Sequence, residues 1–284
     1  MSVFAGELEQ LTERLADWLE GPCWAPSRSS VVFSDIPGNR VLEYLPQTGE
    51  VRVVENECEF TNGRTLDLDG SLVECSHGRR AVQRRRGDEV TVLVDHWGEH
   101  RLNSPNDVVV DSRGVIWFTD PAYGIEQEVE GHPGVREYGD RWVLRHDPAT
   151  GAIDVAVTDV LAPNGLAFSP DEQLLYVADS SGAQNPSGSG HIRVYDVLEG
   201  RLCKNGRLFA RIEDGVPDGI RVDAAGRLFS SAADGVHVYD PDGNHLEFLP
   251  VAEVVSNLCF VPVDEPGHLY LTGATRLYRV GLAT

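Results

Sequence analysis

The sequence predicts an all-β fold, a six-bladed propeller of four-stranded blades, on three observations. First, one pattern recurs at intervals of roughly 40 to 60 residues, the range in which repeats signal propellers or solenoids. Second, each copy sets a polar side chain before a strand, a turn and another strand. Third, the strand runs are short, turn signals of the Asp-x-x-Gly kind separate them, and no long helical stretch intervenes.

The clearest copy is Pro163-Asn164-Gly165, then Leu166-Ala167-Phe168, a turn at Ser169-Pro170-Asp171-Glu172, and Leu174 to Asp179. Pro105-Asn106-Asp107 leads into Val108-Val109-Val110, a turn at Asp111 to Gly114, and Val115 to Asp120. Pro217-Asp218-Gly219 leads into Ile220-Arg221-Val222, a turn at Asp223 to Gly226, and Arg227-Leu228-Phe229. Once this phase is set, weaker copies begin at Glu20-Gly21-Pro22, Asn62-Gly63 and Ser256-Asn257. The six phase residues are Glu20, Asn62, Asn106, Asn164, Asp218 and Asn257, and every one carries a carboxylate or amide oxygen.

Element by element, blade one adds strands at Arg40–Leu45 and Val51–Val54, and blade two at Ala81–Arg84 and Thr91–Val94. Blade three carries a polar, acidic insertion, Pro121 to Asp140, and resumes at Arg141–His146. Blade four holds a loop of small polar residues, Ser180 to Gly190, which reads as a surface turn or as part of a pocket rim. Blade six ends in Arg276–Val280, leaving room for one strand from the N-terminus. Leu8, Leu11 and Leu15 have helical spacing, yet Arg14–Leu19 also reads as a strand and is the expected closing strand. A closed ring removes the exposed edges that single sheets would leave. The copies run without a linker, so residues 1–284 read as a single domain, with 1–19 as its N-terminal segment.

A formal net charge of -21 repels phosphate backbones and anionic surfaces, which argues against nucleic-acid and membrane partners. Arg84-Arg85-Arg86, the single basic run, reads as a solvated hairpin end. No apolar run approaches a membrane span and no secretory signal is visible, so a cytoplasmic location is expected. The five cysteines are scattered without a C-x-x-C pair and read as free thiols, with Cys23 and Cys259 on inner strands.

In a ring, equivalent positions of successive blades lie around one axis. Glu20, Asn106, Asn164 and Asp218 are therefore expected to converge at one end of the channel. Taken singly, Asn or Asp before Gly reads as a turn former; taken as a ring, the set reads as hard oxygen donors for Ca²⁺, Mg²⁺ or Mn²⁺, with Zn²⁺ open as well. Asn62 and Asn257 read as structural supports. None of the nine histidines is read as a ligand.

These segments resemble the senescence-marker-protein/gluconolactonase/luciferin-regenerating-enzyme family, in its bacterial sugar-lactonase branch. The matching stretches are Glu20-Gly21-Pro22 with Trp24, Phe33 to Arg40, Arg101 to Asp107, Trp117 to Pro121 with Tyr123-Gly124, Pro163 to Pro170, and Pro217-Asp218-Gly219. The resemblance implies a six-bladed propeller with one divalent metal ion on its axis, held by Glu20, Asn164 and Asp218. It implies that Asn106 contacts substrate or a bound water. In some members an arginine two residues before that asparagine binds substrate; here Ser104 stands there, and Arg101 is the candidate. Tyr123 and the insertion bearing His132 are further candidates for the pocket.

The expected activity is metal-dependent hydrolysis of a sugar lactone to the aldonic acid, with oligomeric state left open. Asp218 is the expected base that takes the proton of the attacking water; the alternative leaves Asp218 a ligand only. A phosphotriesterase-like hydrolase of similar architecture and a non-enzymatic calcium-binding or scaffold propeller are the competing readings.

Overall fold

The computed structural model describes residues 2–183, 185, 188, 190–262 and 267–283. Six four-stranded antiparallel sheets follow one another along the chain, each meandering from an inner to an outer strand. Their innermost strands are Leu19–Ala25, Thr61–Leu66, Val108–Val110, Pro163–Phe168, Ile220–Val222 and Val255–Val261. The expected blade boundaries hold to within a few residues.

Apolar side chains fill the space between neighbouring blades. Phe33 and Leu42 of blade one meet Tyr270 and Leu277 of blade six, Phe118 of blade three meets Val73 of blade two, and Phe229 of blade five meets Leu258 of blade six. Strand alternation alone cannot bury both faces of a sheet, so each blade completes its core only against two neighbours. The seam between blades one and two differs, because its apolar cluster is small and a charged network extends it. There the Arg64 guanidinium and Glu74, both fully buried, pair at 3.2 Å, and Arg85 reaches Glu74 at 3.1 Å.

The ring closes earlier in the chain than the sequence suggests. The outer strand of blade six is Phe4–Gln10, paired antiparallel with Leu277–Leu282, rather than Arg14–Leu19. Residues 11–18 form neither helix nor regular strand. They run as a strap, with the Leu11 and Leu15 amides donating to Leu277 and Thr275 carbonyls at 2.9 Å each. The helix-like spacing of Leu8, Leu11 and Leu15 has a different cause: Leu8 packs into the core between blades five and six, Leu11 and Leu15 into that between six and one. Leu19 itself already begins blade one.

The turn signals work as read. In Asp111–Gly114 and Asp223–Gly226 the glycine adopts φ +81° and donates its N–H to the aspartate carbonyl at 2.9 Å, a conformation costly for a side chain with Cβ. The glycines after the phase residues serve another purpose. A Cβ on Gly63 would stand 2.5 Å from the Asn106 carbonyl oxygen, and one on Gly165 would stand 2.3 Å from that of Asp218. These Asn-Gly and Asp-Gly pairs are not turns; they let inner strands of neighbouring blades touch around the axis.

The basic run is a solvated hairpin end only at Arg86, which is exposed; Arg84 is half-buried and Arg85 is buried. Arg84 pairs with Asp67, Arg86 with Asp69, and Arg85 is buried between Glu55 and Glu74. All five cysteines are free thiols, and burial pushes Cys23 up to about 11, which makes it a poor nucleophile at neutral pH. Among the described residues no helix is long and apolar enough to cross a membrane.

Candidate active site

A cavity of about 500 Å³ opens at one end of the ring axis. Glu20, Asn62, Asn106, Asn164 and Asp218, from five different blades, all line it. Each sits at or just before the start of an innermost strand, so the repeat phase brings them together although up to some two hundred residues separate them. The sixth phase residue, Asn257, stands behind this wall and donates its amide to the Glu20 carboxylate at 3.1 Å. Its expected supporting role matches that place. Asn62 is closer to the chemistry than expected: it lines the cavity, and its amide oxygen is buried with no hydrogen-bond partner.

The electrostatics of this wall are unfavourable without a cation. Burial raises the Glu20 carboxyl, and the charges of Asp107 and Glu130 push it in the same direction. Asp218 is raised well above the usual carboxylate range by burial first and by the Glu20 charge next, with the Asn164 side chain opposing as a hydrogen-bond partner. Buried like-charged carboxylates resist ionisation until a positive charge joins them. The donor set suits a hard divalent cation, two carboxylates beside amide oxygens. Among the described residues no three His, Cys, Asp or Glu side chains group to hold an ion by themselves, so any ion here would depend on the amide of Asn164 as well as the two acids.

The remaining predicted residues divide. Tyr123, in the short helix Tyr123–Glu126, lines the cavity, and its hydroxyl is buried without a partner. Burial raises its pKa, and the Asp218 charge adds to the effect, which places the phenol in the field of the carboxylates. Arg101 is not brought to the cavity. It lies exposed at the end of the hairpin His96–Trp97 and His100–Arg101, its guanidinium donating to the Arg79 carbonyl at 2.9 Å. Ser104, at the family's arginine position, is buried and donates to the Pro121 carbonyl at 2.8 Å. His132 faces away, paired with Glu59 at 3.0 Å and packed edge-on against Phe60.

Sequence reasoning missed several lining groups. Gln127 and Glu130 enter from the insertion, while Trp18, Ile36 and Val216 make an apolar wall. Insertion residues carry no repeat phase, so nothing in the pattern marks them. The acidic composition of Pro121 to Asp140 was the one available hint. The Ser180–Gly190 loop resolves in favour of the rim: Ser180, Ala183 and Asn185 line the cavity, and the Ser180 hydroxyl donates to the Pro217 carbonyl at 2.6 Å. Gln184, Pro186, Ser187 and Ser189 lie outside the described residues. No Lys, Arg or His lines the cavity among the described residues.

Fold and cavity together define a closed six-bladed propeller with a carboxylate-and-amide site on its axis. Residues 18–275 match the SMP-30/Gluconolactonase/LRE-like region, and the chain belongs to that family. It is 31% identical to the gluconolactonase of Zymomonas mobilis, over 94% of this chain and 79% of that protein. Among solved structures it is similar to a gluconolactonase from Xanthomonas campestris, at 38% identity and a TM-score of 0.89, covering 97% of this chain and 89% of that one. The family includes calcium-binding members; a regucalcin from Agrobacterium tumefaciens, described as a calcium-binding protein, shares the fold at a TM-score of 0.77 and 19% identity, over 98% of this chain and 94% of that one.

Proposed function

We propose that this protein hydrolyses an uncharged sugar lactone of the gluconolactonase type, with a divalent cation held by Glu20, Asn164 and Asp218. The observation that carries the reading is the meeting of two buried carboxylates, Glu20 and Asp218, with the side-chain amides of Asn106 and Asn164 in a cavity without a cationic side chain among its described residues. The gluconolactonases to which the chain is similar support the substrate class. A volume of about 500 Å³ accommodates a sugar ring, since ligand pockets run from roughly 300 to 1,000 Å³. When bound, a divalent ion supplies Lewis-acid polarisation of the lactone carbonyl and a lowered pKa for water.

The chain's own residues do the rest. Asp218 accepts the proton of the attacking water. Asn106 holds substrate or that water from the neighbouring wall. The unpartnered Tyr123 hydroxyl donates to, or accepts from, a sugar hydroxyl. Trp18, Ile36 and Val216 exclude bulk water and pack against the ring's C–H face. With no Lys, Arg or His among the described lining residues, the cavity has no cationic side chain to pair with the charged group of an anionic lactone.

The test is a substrate panel run after chelation and again with Ca²⁺, Mg²⁺, Mn²⁺ or Zn²⁺ restored. Uncharged aldonolactones are expected to turn over only with metal, and a phosphorylated lactone far more slowly. Preferred turnover of an organophosphate triester would replace this reading with the phosphotriesterase one. Hydrolysis of none of them under any metal would leave the binding-scaffold reading.

A further inference from the structure

Ester hydrolysis moves two protons, and the site as read so far accounts for one. The attacking water must lose a proton, and the departing ring oxygen must gain one. We propose that Glu130, carried into the cavity by the insertion of blade three, is the acid that protonates the departing ring oxygen. The proposal rests on the lactonase reading and adds a residue to it.

Geometry supports it first. Glu130 lines the same cavity as Glu20, Asp218 and Tyr123. Among the described residues, no hydrogen bond reaches its carboxylate; its backbone amide and carbonyl are both used, by Gln127 and His77. The carboxylate of this lining residue is thus left without a hydrogen-bond partner among the described residues, while its backbone is held. That hold comes from His77, which is fully buried. His77 Nε2 stands 3.1 Å from the Asn62 amide nitrogen, a donor, so the proton sits on Nδ1 and is donated to the Glu130 carbonyl at 3.1 Å. One imidazole therefore ties a phase residue of blade two to the inserted segment.

Other contacts make the insertion a fixed wall. His132 pairs with Glu59 at 3.0 Å, the Tyr138 hydroxyl donates to Asp120, and Arg80 faces Glu137 at 3.6 Å while donating to the Leu102 carbonyl at 2.6 Å.

The surroundings keep a proton available. The titratable groups facing Glu130 are His77, whose Nδ1 is 4.0 Å from Oε2, and across the cavity Glu20, Asp218 and Tyr123. Burial holds His77 down to about 4, so it is neutral and offers no compensating charge. Burial raises the Glu130 carboxyl to about 7, near the value at which a general acid works best at neutral pH. The step balances. Water's oxygen bonds to the carbonyl carbon as Asp218 takes its proton. The ring C–O bond then breaks, and the electron pair left on that oxygen takes the proton of Glu130. Lactone and water become the hydroxy acid, and solvent returns the proton from Asp218 to Glu130.

A leaving-group comparison tests this. Glu130→Gln and Glu130→Asp are assayed on glucono-1,5-lactone, which expels a sugar alkoxide, and on dihydrocoumarin, which expels a phenol. Glu130→Gln is expected to lose about 10²- to 10⁴-fold in kcat on the sugar lactone and under about threefold on the aryl lactone, with Glu130→Asp in between. The limb of the sugar-lactone pH profile near neutrality should vanish in Glu130→Gln. Mn²⁺ binding by calorimetry should persist. Equal losses on both lactones, or no loss on either, overturn the acid role. Loss of Mn²⁺ binding would make Glu130 a ligand and overturn it too. A wild-type protein inert on both lactones with every metal fails the lactonase reading itself, a separate outcome.

Discussion

The backbone N–H of Gly165 donates to the carbonyl oxygen of Asp218 at 3.0 Å, binding the inner strand of blade four to that of blade five beside the axis. Asn164 and Asp218, two of the three proposed ligands, are thereby set by a single backbone contact. A Cβ at residue 165 would lie 2.3 Å from that same oxygen. Gly165→Ala should therefore push the two strands apart. The expected cost is about 1–3 kcal/mol of stability from overpacking, read by urea denaturation. Metal affinity should fall more steeply than stability, because the ligands themselves are displaced.

Asp218 separates two mechanisms. Asp218→Asn should lower kcat by roughly 10²- to 10⁴-fold if the carboxylate is the base. Calorimetric Mn²⁺ titration of the variant identifies the reason. Retained binding with lost turnover fits the base; retained binding with near-normal turnover rules it out.

Asn257 tests the support behind the wall. Its amide reaches Glu20 at 3.1 Å and it does not line the cavity. Asn257→Ala should weaken metal binding about 10- to 100-fold, the usual effect of losing a partner that orients a ligand. The chain should still fold, with an antiparallel-sheet circular dichroism spectrum like that of the parent.

The pH dependence of stability has an unusual sign. Glu20, Glu130 and Asp218 are all raised in the folded chain, Glu130 to about 7 from 4.5. Between the unfolded and folded pKa values the native state binds more protons than the unfolded one, so stability falls as pH rises. Their unfavourable contribution is absent below about pH 4 and complete above the folded values. In chelator, Tm should decline from pH 5 to pH 8. Added divalent ion should raise Tm more at pH 8 than at pH 5. A flat difference across that range would show that the carboxylates do not meet the ion.

Ring closure is tested by truncation. Removing residues 2–10 deletes buried Val3 together with Phe4 and Leu8, which pack on the core between blades five and six. It also bares the edge at Leu277–Leu282. The loss should be roughly 3–6 kcal/mol from the apolar burial alone, with association of the open edge seen by light scattering.

By itself the sequence determined the number of blades, their inner strands and the phase residues at the channel mouth. Those features rest on local signals: alternation, Asp-x-x-Gly turns and a repeated polar residue before each inner strand. A repeat also carries its own geometry, since equivalent positions in a closed ring must face one axis. Only the tertiary structure decided the rest. It moved the closing strand to Phe4–Gln10 and made residues 11–18 an extended strap, in which the core contacts of Leu11 and Leu15 imitate helical spacing. It left Arg101 on an exposed hairpin and brought Glu130 into the cavity through His77. Neither residue carries the repeat phase, and the place of an inserted loop depends on contacts with blades distant in the chain. Such contacts have no period, and so they leave no pattern along the sequence.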